Sequence, residues 1–151
     1  MQVEIVRARE QDCDLIQAIQ RDLRRPIRER CSANEYLIAW GEGTALGCAA
    51  TAVYEEGGYF YGLAVRRQWQ RQGIGGQLME ARLDALRILR AQYAVALAMF
   101  WNSRFFRAHG FAPVKRSDLP PSASYHADLK NAAYRRSAVM LRLLNQVQDR
   151  T

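Results

Sequence analysis

Apolar and polar positions alternate over residues 3–7, the two-residue period of a half-buried strand. Past Asp12, a capping residue type, Leu15, Ile16, Ile19 and Leu23 recur at helical spacing, and Pro26 sets a stop near Arg25. A short helical or irregular stretch through Cys31 leads to a strand over residues 35–40. Gly41-Glu42-Gly43 turns it into a second strand over 44–54, and Glu55-Glu56-Gly57-Gly58 turns that into a third over 59–65. The period then changes. Leu78, Ala81, Ala85 and Leu89 form a helical stripe that Met79, Leu83 and Leu86 widen. Glu80, Arg82, Arg87 and Arg90 fall mainly on the other side, so an amphipathic helix is predicted to run to about Gln92. The unbroken apolar run over 93–100 predicts a buried strand. Asn102 or Ser103 caps a short helix, and Gly110 suits its left-handed end. Strands over 111–115 and 137–143 lie on either side of the Leu119-Pro120-Pro121 break, and the polar tail from Asn145 is expected to fray.

The order β-α-(α)-β-β-β-α-β-α-β-β describes an α+β chain. It has a single mixed sheet, with antiparallel strands first and a parallel β-α-β crossover after them. A length of 151 residues suits one domain spanning 1–151. The apolar runs are far shorter than the roughly 20 residues of a membrane helix. The alternating, charged N-terminus reads as a strand and not as a secretory signal, so the expected location is cytoplasmic, with no membrane partner. Cys13, Cys31 and Cys48 are odd in number and unclustered, which favours free thiols. His109 and His126 have no second ligand at metal spacing, so no metal is expected.

The net charge of +7 changes the picture only in part. The arginines recur as pairs, Arg24-Arg25, Arg66-Arg67 and Arg135-Arg136, and not as one block. Such a surface suits nucleic acid, a membrane face or a polyanionic small molecule equally well. No helix-turn-helix, zinc or RNA-binding signature accompanies it, so nucleic acid is not the expected partner.

The chemistry concentrates at the junction of the third strand and the long helix. A helix start leaves backbone N–H groups unpaired and carries about half a positive charge, which phosphate oxygens complement. Gly73, Gly75 and Gly76 remove side chains from that approach, and Arg71, Arg66 and Arg67 add charge. The lysine and Ser/Thr of a P-loop are absent, and the spacing is not that of a dinucleotide fingerprint. Leu63-Ala64-Val65, followed by Gln70-Arg71-Gln72-Gly73-Ile74-Gly75-Gly76, resembles the acetyl-CoA signature of the GNAT acetyltransferase superfamily. Gln70, Gly73 and Gly75 fill its defined positions, and 105–111, ending in Gly110-Phe111, is similar to that family's later helix.

The resemblance implies a GNAT-like sheet with helices on both faces and acetyl-CoA as cofactor. It implies that Leu63, Ala64 and Val65 bind the pantetheine arm as an added strand, with the Val65 amide polarising the thioester carbonyl. Residues Gln70, Arg71, Gln72, Gly73, Ile74, Gly75 and Gly76 would wrap the pyrophosphate, and Asn102 and Phe106 would line the arm near its sulfur. A homodimer is among the states it implies. Three positions depart from the pattern. Arg71 replaces a common glycine and Arg67 a common proline, with no essential backbone geometry assigned to either. Phe106 stands where a tyrosine often protonates the departing thiolate.

Direct transfer needs an uncharged amine and hence a base. Tyr59, Tyr61 and a water held by Glu55 or Glu56 are the catalytic candidates, with packing and a solvated turn as the alternative roles. Cys48 reads as a small apolar residue. The segment from Trp101 to Val139, with Leu119-Pro120 and Arg135-Arg136-Ser137, resembles the acetyltransferase domain of N-acetylglutamate synthases and the small acetyltransferases of arsenic-resistance operons. That likeness implies Arg24 or Arg25, Arg135 and Ser137 as holders of substrate carboxylates, and an acidic amino acid or amino-acid-like toxin as the amine. The competing class is a non-catalytic acyl-CoA-binding sensor.

Overall fold

A computed structural model describes residues 1–25, 31–131 and 134–144. The stop at Pro26 and the tail from Asn145 lie outside the described residues. Seven strands form one mixed sheet in the order β1-β2-β3-β4-β5-β7-β6. They are β1 (Glu4–Arg7), β2 (Tyr36–Gly41), β3 (Thr44–Val53), β4 (Gly57–Val65), β5 (Tyr93–Ala98), β6 (Ala112–Val114) and β7 (Ala138–Leu143). The helices are α1 (Cys13–Asp22), α2 (Ile74–Ile88), α3 (Ser103–Ala108) and α4 (Ala127–Lys130). The α+β mixed sheet expected from the pattern is observed. Among the described residues no helix is long and apolar enough to cross a membrane. Nor does any cluster of metal-ligating side chains occur among them.

The chain divides into two compact units, Met1–Thr51 with Gly62–Arg82 and Ala52–Tyr61 with Leu83–Thr151. In the first, β1 and β2 pair antiparallel, as do β2 and β3, with an irregularity between Ala39 and Trp40. Its core joins Ala39, Leu46 and Ala49 of the strands to Ile74 and Leu78 of α2. Burying each of the last two contributes about 1.5–3 kcal/mol. Cys13, Cys31 and Cys48 are free thiols, as their spacing suggested. Helix α1 is shorter than predicted, because Arg24 adopts φ 56 and turns the chain out of the helix. Asp12 does not cap α1 with its side chain; its Oδ2 accepts the Arg9 N–H at 2.8 Å, one turn earlier.

In the second unit β4 and β5 run parallel, with Gly57 opposite Tyr93, and β7 pairs antiparallel with both β5 and β6. Strand β4 begins at Gly57 and not at Tyr59. A Cβ at Gly57 would lie 2.5 Å from the Tyr93 ring, so this glycine serves close strand packing and not the turn. Strand β5 stops at Ala98, short of the expected 100; every residue of it except Leu97 is buried, whereas Phe100 is exposed. Helix α2 ends four residues before Gln92, at Ile88, where Arg90 takes φ 60 and Ala91 N–H returns to the Leu86 carbonyl at 2.9 Å. Leu89 and Ala85, expected on the buried stripe, are exposed, whereas Arg82, expected opposite, is buried. Gly110 takes the expected left-handed conformation at φ 88.

Candidate functional site

In the first unit, the chain leaves β4 at Val65 and makes a short 3₁₀ turn over Arg67–Trp69. The Gln70 side-chain amide donates to the Val65 carbonyl at 2.8 Å, tying the loop back to the strand it came from. The backbone then turns left-handed twice, at Arg71 (φ 64) and Gly73 (φ 84), and α2 starts at Ile74. Arg71 therefore does occupy a position of special geometry, where glycine is the unstrained choice and an arginine costs roughly 1–2 kcal/mol. The sequence assigns no backbone geometry to this departure, and the structure places it at a left-handed position.

Gln70, Arg71, Gln72 and Gly73 are all exposed, and a Cβ built on Gly73 meets nothing within 4 Å. Ile74 is buried and anchors the helix start, while Gly75 and Gly76 are half-buried and add no side chain. The first turn of α2 thus presents N–H groups with no intrahelical acceptor beside open space, an arrangement that fits an anionic pyrophosphate. Arg66 is committed elsewhere: its Nε donates to the Ala45 carbonyl at 2.9 Å and its Nη1 pairs with Asp22 at 2.7 Å. It braces the loop and is not a spare charge, whereas Arg67 is exposed.

The strand just before this loop is distorted. Gly62 has φ 69, and its carbonyl accepts the Gln20 Nε2 at 2.9 Å. Next to it, burial pushes the Cys48 thiol up to about 12, so it stays protonated near neutrality and is no nucleophile. Arg82 is 2% exposed and donates to the Ala50 carbonyl at 3.1 Å. Burial pulls its guanidinium down to about 9.

In the second unit the catalytic candidates separate. Glu55 and Glu56 are exposed, and Glu56 accepts from Ser122 Oγ at 3.1 Å, which in turn lies 2.6 Å from the Tyr93 hydroxyl. Tyr59 is 3% exposed, and its hydroxyl donates to the Asp128 carboxylate at 2.9 Å. The half-buried Tyr61 stacks on Tyr59 at 5.9 Å, and the His126 ring lies 4.1 Å from Tyr59 and 5.5 Å from Tyr61. The Asp128 N–H donates to His126 Nδ1 at 3.0 Å. An accepting Nδ1 leaves the neutral imidazole with its proton on Nε2.

Asp128 and His126 are functional candidates that the sequence does not disclose. His126 enters there only as a metal ligand without partners, and the short helix α4 that delivers Asp128 has no visible period. The one local signal is His-x-Asp after a proline break, with nothing in it to indicate Tyr59. Phe106, at the position of the family tyrosine, is buried edge-on between Phe105 and Phe111. Asn102 is half-buried, and its Oδ1 accepts the Met99 N–H at 2.8 Å.

Of the carboxylate-binding candidates, Arg24 and Arg25 are exposed in the first unit and Arg135 is exposed in the second. Ser137 is buried, with its hydroxyl 3.1 Å from the Met99 sulfur.

A family model described as "Acetyltransferase (GNAT) domain" matches residues 32–113, more than half of the chain. The chain belongs to the GNAT acetyltransferase family. No curated protein matches it in sequence. Several solved structures are similar to it. N-acetylglutamate synthase from Neisseria gonorrhoeae, complexed with coenzyme A and N-acetyl-glutamate, is 26% identical with a TM-score of 0.83, covering 97% of this chain and 36% of the synthase. This chain therefore spans about a third of that protein's length. Rv2747 from Mycobacterium tuberculosis, in complex with CoA and NLQ, is 22% identical with a TM-score of 0.79, covering 93% of this chain and 99% of that one. The ribosomal-protein-S18-alanine N-acetyltransferase of Escherichia coli shares the fold at 17% identity, with a TM-score of 0.73 and 94% of each chain covered.

Proposed function

We propose that this GNAT chain acts as a single catalytic domain that transfers an acetyl group from acetyl-CoA directly to the primary amine of a small molecule. One observation carries this reading: an open, glycine-started helix behind β4, with Gln70 bonded back to Val65. Acetyl-CoA supplies the activated acetyl group. The backbone of Leu63 to Val65 holds the pantetheine arm, and the residues from Gln70 to Gly76 hold the pyrophosphate. The solved relatives bound to coenzyme A support this assignment.

The proton-accepting pair is Tyr59 with Asp128. On the amine side, the proton of the attacking nitrogen passes to Tyr59 Oη and the phenol's own proton to Asp128 Oδ2, while the new N–C bond replaces the thioester C–S bond and coenzyme A departs as its thiolate, which that proton then neutralises. Asp128 thereby supplies a carboxylate next to a strand that contains none of its own. The exposure of Glu55 and the Ser122 contact of Glu56 favour this pair over the turn glutamates. The acceptor is an acidic amino acid or an analogue of one, a reading supported by the likeness to N-acetylglutamate synthase and by the exposed Arg135.

A second reading, a sensor that binds acyl-CoA without turnover, rests on Phe106, which has no hydroxyl to offer a thiolate. Thiol release from acetyl-CoA with L-glutamate, L-aspartate, L-glutamine and simple alkylamines separates the two. Amine-dependent release matched by N-acetyl product supports the enzyme. Coenzyme A binding with no release across the panel supports the sensor.

A further inference from the structure

Gln20 sits in the last turn of α1 on its buried face, beside Ile19 and one turn from Ile16. A glutamine is a costly residue to bury unless its amide is bonded. Here the bonds are specific. Nε2 donates to the Gly62 carbonyl at 2.9 Å and reaches Cys48 Sγ at 3.6 Å, while Cys48 Sγ itself lies 3.8 Å from the same carbonyl. The Tyr36 hydroxyl lies 2.8 Å from where a Cβ on Gly62 would project.

Gly62 therefore sits in a socket made by a helix and two strands, and it is held at φ 69 in mid-strand, where L side chains are strained. A residue so distorted redirects the backbone immediately after it, and that backbone is Leu63-Ala64-Val65.

We infer that Gln20 is a positioning residue for coenzyme A: by holding the Gly62 carbonyl it keeps β4 bent so that the Leu63 and Val65 backbone groups face the pantetheine arm. The inference rests on the acetyl-CoA reading of this strand and goes beyond it by assigning a control residue on another element. Gln20 does not touch the ligand. Its effect reaches the ligand only through the angle of the strand.

The test is calorimetric titration of coenzyme A into the full chain, paired with thermal melting. Gln20→Leu removes the donor at similar volume, and Gln20→Met serves if that variant does not fold. Ile16→Val is the control, since it loosens the same helix and leaves the Gln20 bond to the Gly62 carbonyl in place. Gln20→Leu is expected to weaken coenzyme A about tenfold, roughly one buried hydrogen bond's worth. Ile16→Val is expected to lower the melting temperature while leaving the affinity within about twofold. Wild-type affinity in a folded Gln20→Leu variant, or equal loss in the control, overturns the inference. Failure of the wild type to bind coenzyme A would instead remove the cofactor reading, and the inference with it.

Discussion

The cofactor loop is built from neighbours. Gln70 bonds to a carbonyl five residues back, and Gly73 accepts the N–H of Gln77 four residues on. The Tyr59–Asp128 pair is built from strangers, two side chains 69 positions apart that meet because a short helix is carried back to β4. The first arrangement depends on backbone conformation, on the Gln70 tie and on small, uncharged positions at the helix start. The second depends on two particular side chains and on everything that folds between them. Binding should therefore fail through glycines and chemistry through polar pairs, and the two failures should be separable.

The largest effect that would break this separation is at Tyr59. Tyr59→Phe should lower kcat about 100-fold, within the usual range for a proton-transfer group, while coenzyme A affinity stays unchanged. The same change leaves Asp128 without that donor and should cost about 1–3 kcal/mol in denaturant unfolding. Loss of coenzyme A binding together with kcat would show that the two regions are not separable.

Gly73→Ala tests the other side. At φ 84 a Cβ is strained although nothing crowds it, so the cost is confined to the backbone. A loss of about 1–2 kcal/mol in stability is expected, with weaker coenzyme A binding and an unchanged pH profile of kcat. Arg71→Gly relieves the neighbouring left-handed residue. Partly offset by the greater freedom of a glycine in the unfolded chain, it should raise the melting temperature by a few degrees at most.

The smallest effect concerns Cys48. Burial raises its folded value from 9.0 to about 12, so its contribution to stability is fully present below 9 and is lost as pH rises from there towards 12. Cys48→Ala should leave the pH–rate profile below 9 untouched and should flatten the alkaline fall in stability relative to wild type.

The same contrast explains which features are legible in the chain. The strands, α2 and the loop are legible because period and glycine spacing are local properties. The glycine-rich turn between β4 and α2 can be placed from residues alone. Arg82 is misplaced by its sequence because a helical stripe does not reveal which polar member is drawn inward to bond a carbonyl. Arg71 is misjudged because arginine is not a residue type that signals a positive φ. Gln20, His126 and Asp128 escape notice because their partners are distant in sequence and each looks ordinary in its own window. Gly57 looks like a turn residue and proves to be a packing site against Tyr93.

The central claim, that the helix start behind β4 holds the pyrophosphate of coenzyme A, is tested most directly by titrating coenzyme A into wild type and Gly75→Glu by calorimetry. A carboxylate at that position competes for the N–H groups of the first turn and repels the phosphates. The prediction is saturable binding to wild type and a loss of at least about 100-fold in the variant, which should still melt cooperatively. Undiminished binding by a folded Gly75→Glu variant would contradict it.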